Sequence, residues 1–299
     1  MENVRRINVE RFKKVKIASI LGIIGNLFLF VIKSIIGVFT NSSAMIADSF
    51  NSLGDILSSL ITFIGNKIAS KQADDDHNLG HGKAEYVYSM LMSIVMIMAS
   101  FVILKNSIFS IFESKKYVFS IWLIIVCIVT IIVKFTLYMF TRKIAKEQNN
   151  LLIKANSNDH RNDCLITSLT LISTILSSYS IYYLDGIIGS LISLWIILSY
   201  IKIFLESYDV LMDKSISNET KDKVYEIIKL HSEIKKVIHF NSTPVGYKYQ
   251  ISFTIYVDGN LSTFESHKIA DDLEKEIDRK IEEIYLTVIH VNPIEIEDN

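Results

Sequence analysis

Proline is almost absent from this chain, with two in 299 residues, and cysteine is equally scarce, with two. The first scarcity removes the commonest breaker of helices and suits long uninterrupted ones. The second excludes a disulfide framework and a thiolate zinc cluster, because Cys127 and Cys164 both fall in or beside apolar segments. Net charge is lacking too: Lys and Arg number 31 against 32 Asp and Glu, a formal −1, which argues against a nucleic-acid partner. Charged residues make up only 21% of the chain and apolar ones 50%, the balance of a membrane protein. No cleaved signal peptide is expected, since the chain opens on a charged stretch with no small-residue cleavage site after it. No H-E-x-x-H motif occurs, so an intramembrane metalloenzyme, or any enzyme, is not expected.

What is present is a run of apolar stretches long enough to cross a bilayer. Six are expected, at Ile17–Phe39, Ala44–Ala69, Tyr86–Phe112, Tyr117–Phe140, Asp159–Tyr183 and Ile187–Ser207, with very short hairpin connections at Thr40–Ser43 and Leu184–Gly186. Arg5, Arg6, Arg11, Lys13, Lys14 and Lys16 precede the first span; Lys67, Lys71 and Lys83 flank the second connection, and Arg142, Lys143, Lys146 and Lys154 the fourth. The other side offers mainly Lys115 and Lys116, which puts both termini in the cytoplasm of a multi-pass cell-membrane protein. Trp122, Tyr179, Tyr182 and Tyr183 would anchor the outer interface, though core packing explains them as well.

From about residue 209 the character changes. Lys221–His231 has a helical pattern with Val224, Ile227 and Ile228 on one side. Tyr249–Val257 alternates strictly, the pattern of a half-buried strand. Ser262 with Glu265 reads as a capping box before Ile269, Leu273, Ile277 and Ile281 at helical spacing. Strand-like segments at Lys236–Phe240 and Tyr285–Val291 complete an αββαβ, ferredoxin-like order. The expected fold is therefore an α-helical membrane protein, with a six-helix transmembrane domain over 1–208 and a small cytoplasmic α+β domain over 209–299.

Asn51 and Asp55 stand four residues apart in the second span, and Asp159 and Asp163 repeat the spacing in the fifth. Charges at bilayer depth cost several kcal/mol each and are kept where something binds. Each i, i+4 pair shares a helix face, its members roughly 6 Å apart along the axis. Two such faces turned together offer four oxygens to a hard divalent cation. The plainer alternative is that these groups pair with buried lysines, Lys33 or Lys134, and hold the bundle together. The two pairs meet at one depth only if the fifth helix starts earlier, near Leu151, or if a water-filled vestibule reaches inward. Asp48, one turn outward of Asn51, suits packing or hydration better than coordination. His160 follows Asp159 directly and points about 100° from the acidic face.

Asp74, His77 and His81 in the following loop offer a carboxylate and two imidazoles at spacings of three and four, a candidate transition-metal site, against which stands a solvated acidic loop with incidental histidines. Gly80 and Gly82 point to a defined turn there. His239, His267 and His290 sit on three different elements of the soluble part, where any one alone reads as a surface histidine.

Together these motifs resemble those of the cation diffusion facilitator family. Ala47-Asp-Ser-Phe-Asn-Ser-Leu-Gly-Asp55 is similar to its second-helix motif, Asp159-His-Arg-Asn-Asp163 to its fifth-helix motif, and Asp74-Asp-Asp-His77-Asn-Leu-Gly-His81-Gly-Lys-Ala-Glu85 to the loop between. The resemblance implies a homodimeric exporter exchanging cytoplasmic divalent metal for protons by alternating access, with no prosthetic group. Its transport site would be Asn51, Asp55, Asp159 and Asp163, its loop site Asp74, His77 and His81, and Lys83 with Asp213 an ion pair near the dimer seam. Zinc-type members place a histidine in the quartet. An all-oxygen set is better suited to Mn²⁺ than to zinc, and the Asn-Asp with Asp-Asp combination resembles the manganese-exporting branch. Fe²⁺, Zn²⁺ and Co²⁺ are the alternative cargoes, and a membrane-anchored metal sensor is the alternative class. His239, His267 and His290 match the family's soluble-domain ligand positions, but Thr254 and Asn292 stand where a His and an Asp are expected, which leaves that cluster degraded.

Overall fold

A computed structural model describes residues 2–39, 43–112, 121–177 and 183–294. The chain divides into two compact units, Met1–Lys71 with Ala84–Tyr208, and Gln72–Lys83 with Asp209–Asn299.

The first unit is built from six long helices: α1 (Glu2–Phe39), α2 (Ser43–Ala69), α3 (Ala84–Phe112), α4 (Ile121–Gln148), α5 (Leu151–Ser177) and α6 (Tyr183–Leu211). Its burial pattern is inverted relative to a water-soluble bundle. Ile24, Phe28 and Val31 on α1, Leu91, Met98 and Val102 on α3, and Ile128, Ile132 and Phe135 on α4 face outward, while Asn26, Ser52, Ser59, Thr62, Lys134, Asn156, Asp159 and His160 are buried. That arrangement is unfavourable in water and expected where the surrounding solvent is hydrocarbon. Three helical segments, Glu10–Ile36, Ala84–Phe109 and Ile124–Gln148, are long and apolar enough to cross a membrane by length and composition alone. α2 and α5 carry the polar face and pack between such helices.

Glycines let these helices approach closely. A Cβ at Gly22 on α1 would lie 2.7 Å from Ser59 Oγ on α2, and one at Gly65 on α2 would lie 2.7 Å from Leu152 Cδ2 on α5 and from Tyr88 Cβ on α3.

α5 starts early, near Leu151, as the meeting of the two acidic pairs requires, and ahead of the point where hydropathy alone begins the span. α4 stops at Gln148, Asn149 takes a positive φ of 44°, and α5 begins at Leu151 rather than at Asp159. Two caps hold that start. Asn150 Oδ1 accepts from Ile153 N at 2.8 Å, and Glu85 Oε1 on α3 accepts from Leu151 N at 2.7 Å. The other Glu85 oxygen accepts from Arg11 on α1 at 2.7 Å, and Arg11 also donates to the Gln148 carbonyl at 2.9 Å. Arg11 and Glu85 side chains are 3% and 2% exposed, so one buried ion pair ties α1, α3 and the α4–α5 corner together. Leu184–Gly186, expected as a connection, opens α6 instead; one glycine costs a helix only about 1 kcal/mol, less than an apolar face gains by continuing. Tyr179, Tyr182, Lys115, Lys116 and most of the Thr40–Ser43 connection lie outside the described residues.

The second unit has the expected order: α7 (Asn218–Lys229), β1 (Lys236–Val245), β2 (Lys248–Asp258), α8 (Thr263–Lys280) and β3 (Ile284–Ile294). β2 is central, antiparallel to β1 and parallel to β3. Ile251, Phe253, Ile255 and Val257 bury one face of β2 against Val224, Ile227 and Ile228 of α7 and Leu273 and Ile277 of α8. Ser262 and Glu265 form a full capping box at the start of α8. Replacing Glu85 by Ala should destabilise the full-length protein by about 3–5 kcal/mol, because it removes the carboxylate that neutralises a buried guanidinium and one of the two caps of α5. Thermal unfolding in detergent, with Glu85→Gln as the milder comparison, checks this.

Candidate functional site

The buried polar groups of α2, α4, α5 and α6 meet in a defined register. α2 and α5 run antiparallel, and their contacts fall in sequence along the pair. Gly65 lies against Leu152, Asn156 Nδ2 donates to Ser59 Oγ at 3.3 Å, and Ser58 donates to Asp159. One turn further, Asp55 and Asp163 face each other across a shared cation. Lys134 Nζ on α4 donates to Asp55 Oδ2 at 2.6 Å and to Asp163 Oδ2 at 2.5 Å. The lysine side chain is 1% exposed and each carboxylate 15%. Charges this far from water are tolerated because they are paired at hydrogen-bond distance.

Asp159 is held differently. It is buried, and it accepts from two neutral hydroxyls, Ser58 on α2 and Tyr200 on α6. The register therefore spreads the expected quartet over three levels. Asp159 lies at the Ser58 level and Asp55 with Asp163 in the middle, while Asn51 stands on the α2 backbone one turn beyond Asp55, away from Asp159. Its side chain is not among those described. The three carboxylates do not come within mutual metal-bridging distance; the middle two close on Lys134 instead. Pairing with Lys134 was the plainer of the two sequence readings, and for Asp55 and Asp163 it is what the geometry contains. His160 turns away from the carboxylates, its Nε2 3.6 Å from where a Cβ on Gly22 of α1 would lie, and both its ring nitrogens are buried without a hydrogen-bond partner. Sequence reasoning missed Tyr200 and Ser58. Each is an ordinary residue inside an apolar span, and the one signal was that a phenol buried in such a span needs an acceptor.

The loop 72–83 belongs to the second unit. His77 N donates to Asp74 Oδ1 at 2.7 Å, His77 Nδ1 lies 3.1 Å from the same oxygen, and His81 Nε2 lies 3.4 Å from Asp74 Oδ2. The two imidazole rings are 4.3 Å apart. One ligand atom from each of the three residues lies within 4.8 Å of the other two, the one such His, Cys, Asp or Glu grouping among the described residues. A carboxylate with two imidazoles suits a borderline transition metal. Slight desolvation acts upward on the Asp74 carboxyl, but hydrogen bonds from the His77 amide and ring, with the charges of His81 and His77, hold it below the usual carboxylate range. Gly80, at φ 78°, supplies the left-handed turn between the histidines, and Gly82 approaches Gly246 so closely that a Cβ would lie 2.9 Å from its Cα. Lys83 Nζ donates to Asp213 Oδ1 at 2.7 Å, which fixes the loop's end to the start of the second unit's main segment.

His239, His267 and His290 are exposed and do not gather into a further three-ligand group. His239 sits at the bulge of β1 with a φ of 54°, His267 on α8, and His290 on β3 in register with Thr254. Asn292 follows on β3 opposite Tyr256.

Comparison with known proteins joins the two units. Residues 19–212 match the model of the cation efflux transmembrane domain, and residues 216–294 that of the cation efflux protein cytoplasmic domain. An uncharacterised transporter of Methanocaldococcus jannaschii is 28% identical, over 95% of this chain and 100% of its own length. The cation-efflux pump FieF of Shewanella oneidensis is 25% identical over 95% of both chains. The manganese efflux system protein MneP of Bacillus subtilis is 26% identical, over 92% of this chain and 95% of its own. With well over half its length matched by the transmembrane model alone, the chain belongs to the cation efflux, or cation diffusion facilitator, family and is a multi-pass divalent-cation efflux transporter.

Proposed function

We propose that this protein exports Mn²⁺ from the cytoplasm in exchange for protons, by alternating access at Asn51, Asp55, Asp159 and Asp163. The observation that carries the reading is that carboxylates from two separate helices, Asp55 on α2 and Asp163 on α5, already share one cation at 2.5–2.6 Å. A site able to clasp an ammonium from both sides has the spacing to clasp a metal ion, once Asp159 turns from its hydroxyl partners. All four side chains offer oxygen, which favours Mn²⁺ over the softer ions that imidazole or thiolate select. A 26% identical relative bearing the name manganese efflux system supports the same cargo. Fe²⁺, close in size and only modestly softer, is the nearest competitor, followed by Zn²⁺ and Co²⁺.

In this mechanism the metal arrives from the cytoplasmic side and meets Asp159 first. It recruits Asp163, Asp55 and the Asn51 carbonyl as the helices rearrange, and protons from outside then compete it off the carboxylates. Asn51 carries no proton and lowers the charge of the set, which tempers affinity enough for release. The basic flanks support a topology with both termini in the cytoplasm; in this reading six spans within residues 1–208 form the transport domain and 209–299 the cytoplasmic one. The protein works as a homodimer in the cell membrane, its Lys83–Asp213 pair near the seam, and Asp74, His77 and His81 form an accessory cation site. His239, His267 and His290 contribute at most a weak metal to the cytoplasmic domain.

Protein reconstituted in vesicles should move Mn²⁺ against an imposed proton gradient, and Asp55→Ala should reduce that flux to the background of empty vesicles; normal transport by the variant would remove Asp55 from the site. Asp159→His should shift the ratio of zinc to manganese flux toward zinc by about tenfold, the scale of one exchanged ligand. An unchanged ratio would show that ligand softness does not set the preference.

A further inference from the structure

Lys134 is the one described cation that the structure shows in contact with two of the transport carboxylates at once. We infer that it is a tethered competitor for the transported metal: its ammonium closes Asp55 and Asp163 and must withdraw before a divalent cation can bridge them. This rests on the reading of Asp55 and Asp163 as metal ligands.

The geometry leaves no room for both occupants. The ammonium lies 2.6 Å from Asp55 Oδ2 and 2.5 Å from Asp163 Oδ2, in contact with both oxygens that a shared metal would need. The side chain is 1% exposed, so water does not screen it from either carboxylate. The tether is also suited to retreat. Lysine carries a compact charge on a flexible four-carbon stem, and side chains on a helix lean toward its N-terminus. One turn N-terminal on α4, on the same face, stands Thr130, whose Oγ1 is buried without a hydrogen-bond partner. That hydroxyl is an acceptor waiting along the path the ammonium would take. Asp159, bound by neutral hydroxyls, faces no such competitor, and it remains the carboxylate an arriving ion can engage first.

The energetic consequence follows from mass action. A metal that binds only the unclasped cage has its apparent affinity reduced by the fraction of time the cage is open, so a cage open about one-tenth of the time binds about tenfold more weakly. The same ammonium returns to the carboxylates as the metal leaves, which speeds release. Lys134 thus sets affinity and turnover without being a ligand.

The test is calorimetric titration of the full-length protein in detergent with Mn²⁺ alone, in a His77→Ala, His81→Ala background that silences the loop. Lys134→Met should bind Mn²⁺ about tenfold more tightly, with slower release from vesicles. Lys134→Arg should bind about tenfold more weakly, because a planar guanidinium holds two carboxylates by its fork and retreats less readily. Equal or weaker binding by Lys134→Met, or unchanged binding by Lys134→Arg, overturns the inference and leaves Lys134 a structural clamp. If Lys134→Met does not fold, the arginine variant decides alone. Asp55→Ala in the same assay separates the two levels: if it keeps full Mn²⁺ binding and transport, the ligand assignment has failed and not merely the competitor.

Discussion

A carboxylate removed from water must be met by a cation or by several donors, and the first unit of this protein is organised by that requirement. Glu85 is met by Arg11 and by the first amide of α5; Asp55 and Asp163 are met by Lys134; Asp159 is met by Ser58 and Tyr200. Each solution draws partners from different helices, so each also fixes how those helices lie. The Glu85 contact sets where α5 begins, and hence how far along it the acidic face falls: Asp159 comes eight residues, about 12 Å, after Leu151. The Lys134 contact then holds α2 and α5 against α4 at the middle of their antiparallel contact. Apolar packing could not supply this specificity, since lipid outside the bundle is as hospitable to Leu and Ile as the bundle itself.

How much of this could be read beforehand depends on which physical signal was strong. The cytoplasmic-type domain was legible almost element by element, because Tyr249–Val257 alternates with period two and Ser262 with Glu265 announces the start of α8. The acidic pairs of α2 and α5 were legible because polar residues at that spacing are conspicuous in apolar surroundings. The beginning of α5 was not plain, since Leu151–Asn158 is half polar and hydropathy treats it as outside the membrane. It is helical because two caps and a buried ion pair act on it, and one of those partners lies 66 residues away in sequence. Tyr200 and Ser58 were invisible for the related reason that a lone hydroxyl in an apolar run carries no pattern.

The two candidate cation sites differ in the physics that would fill them. Asp74, His77 and His81 are hydrated, preassembled by their own hydrogen bonds, and rich in imidazole, so a metal there would exchange one set of water contacts for nitrogen ligands at small structural cost. The α2–α5 carboxylates are largely buried and offer only oxygen, and Asp55 and Asp163 are closed by the chain's own ammonium. A metal binding there must displace partners as well as water. That difference suits loose, readily exchanged binding at the loop and conditional binding between α2 and α5.

The staggered register of the α2–α5 carboxylates bears on direction. A flat square of four ligands would bind a cation equally well from either side. Here Asp159 stands at one level with neutral donors, Asp55 and Asp163 at the next with a competing charge, and Asn51 one turn further along α2. An ion approaching from the Asp159 side meets an uncontested carboxylate before it meets the clasped pair, whereas one approaching from the Asn51 side meets an amide first and gains less from it. Uneven levels of charge along one path make binding easier from one end and release easier at the other. In an exporter that asymmetry would come from the offset of two i, i+4 pairs by a single helical turn, imposed by where Glu85 lets α5 begin.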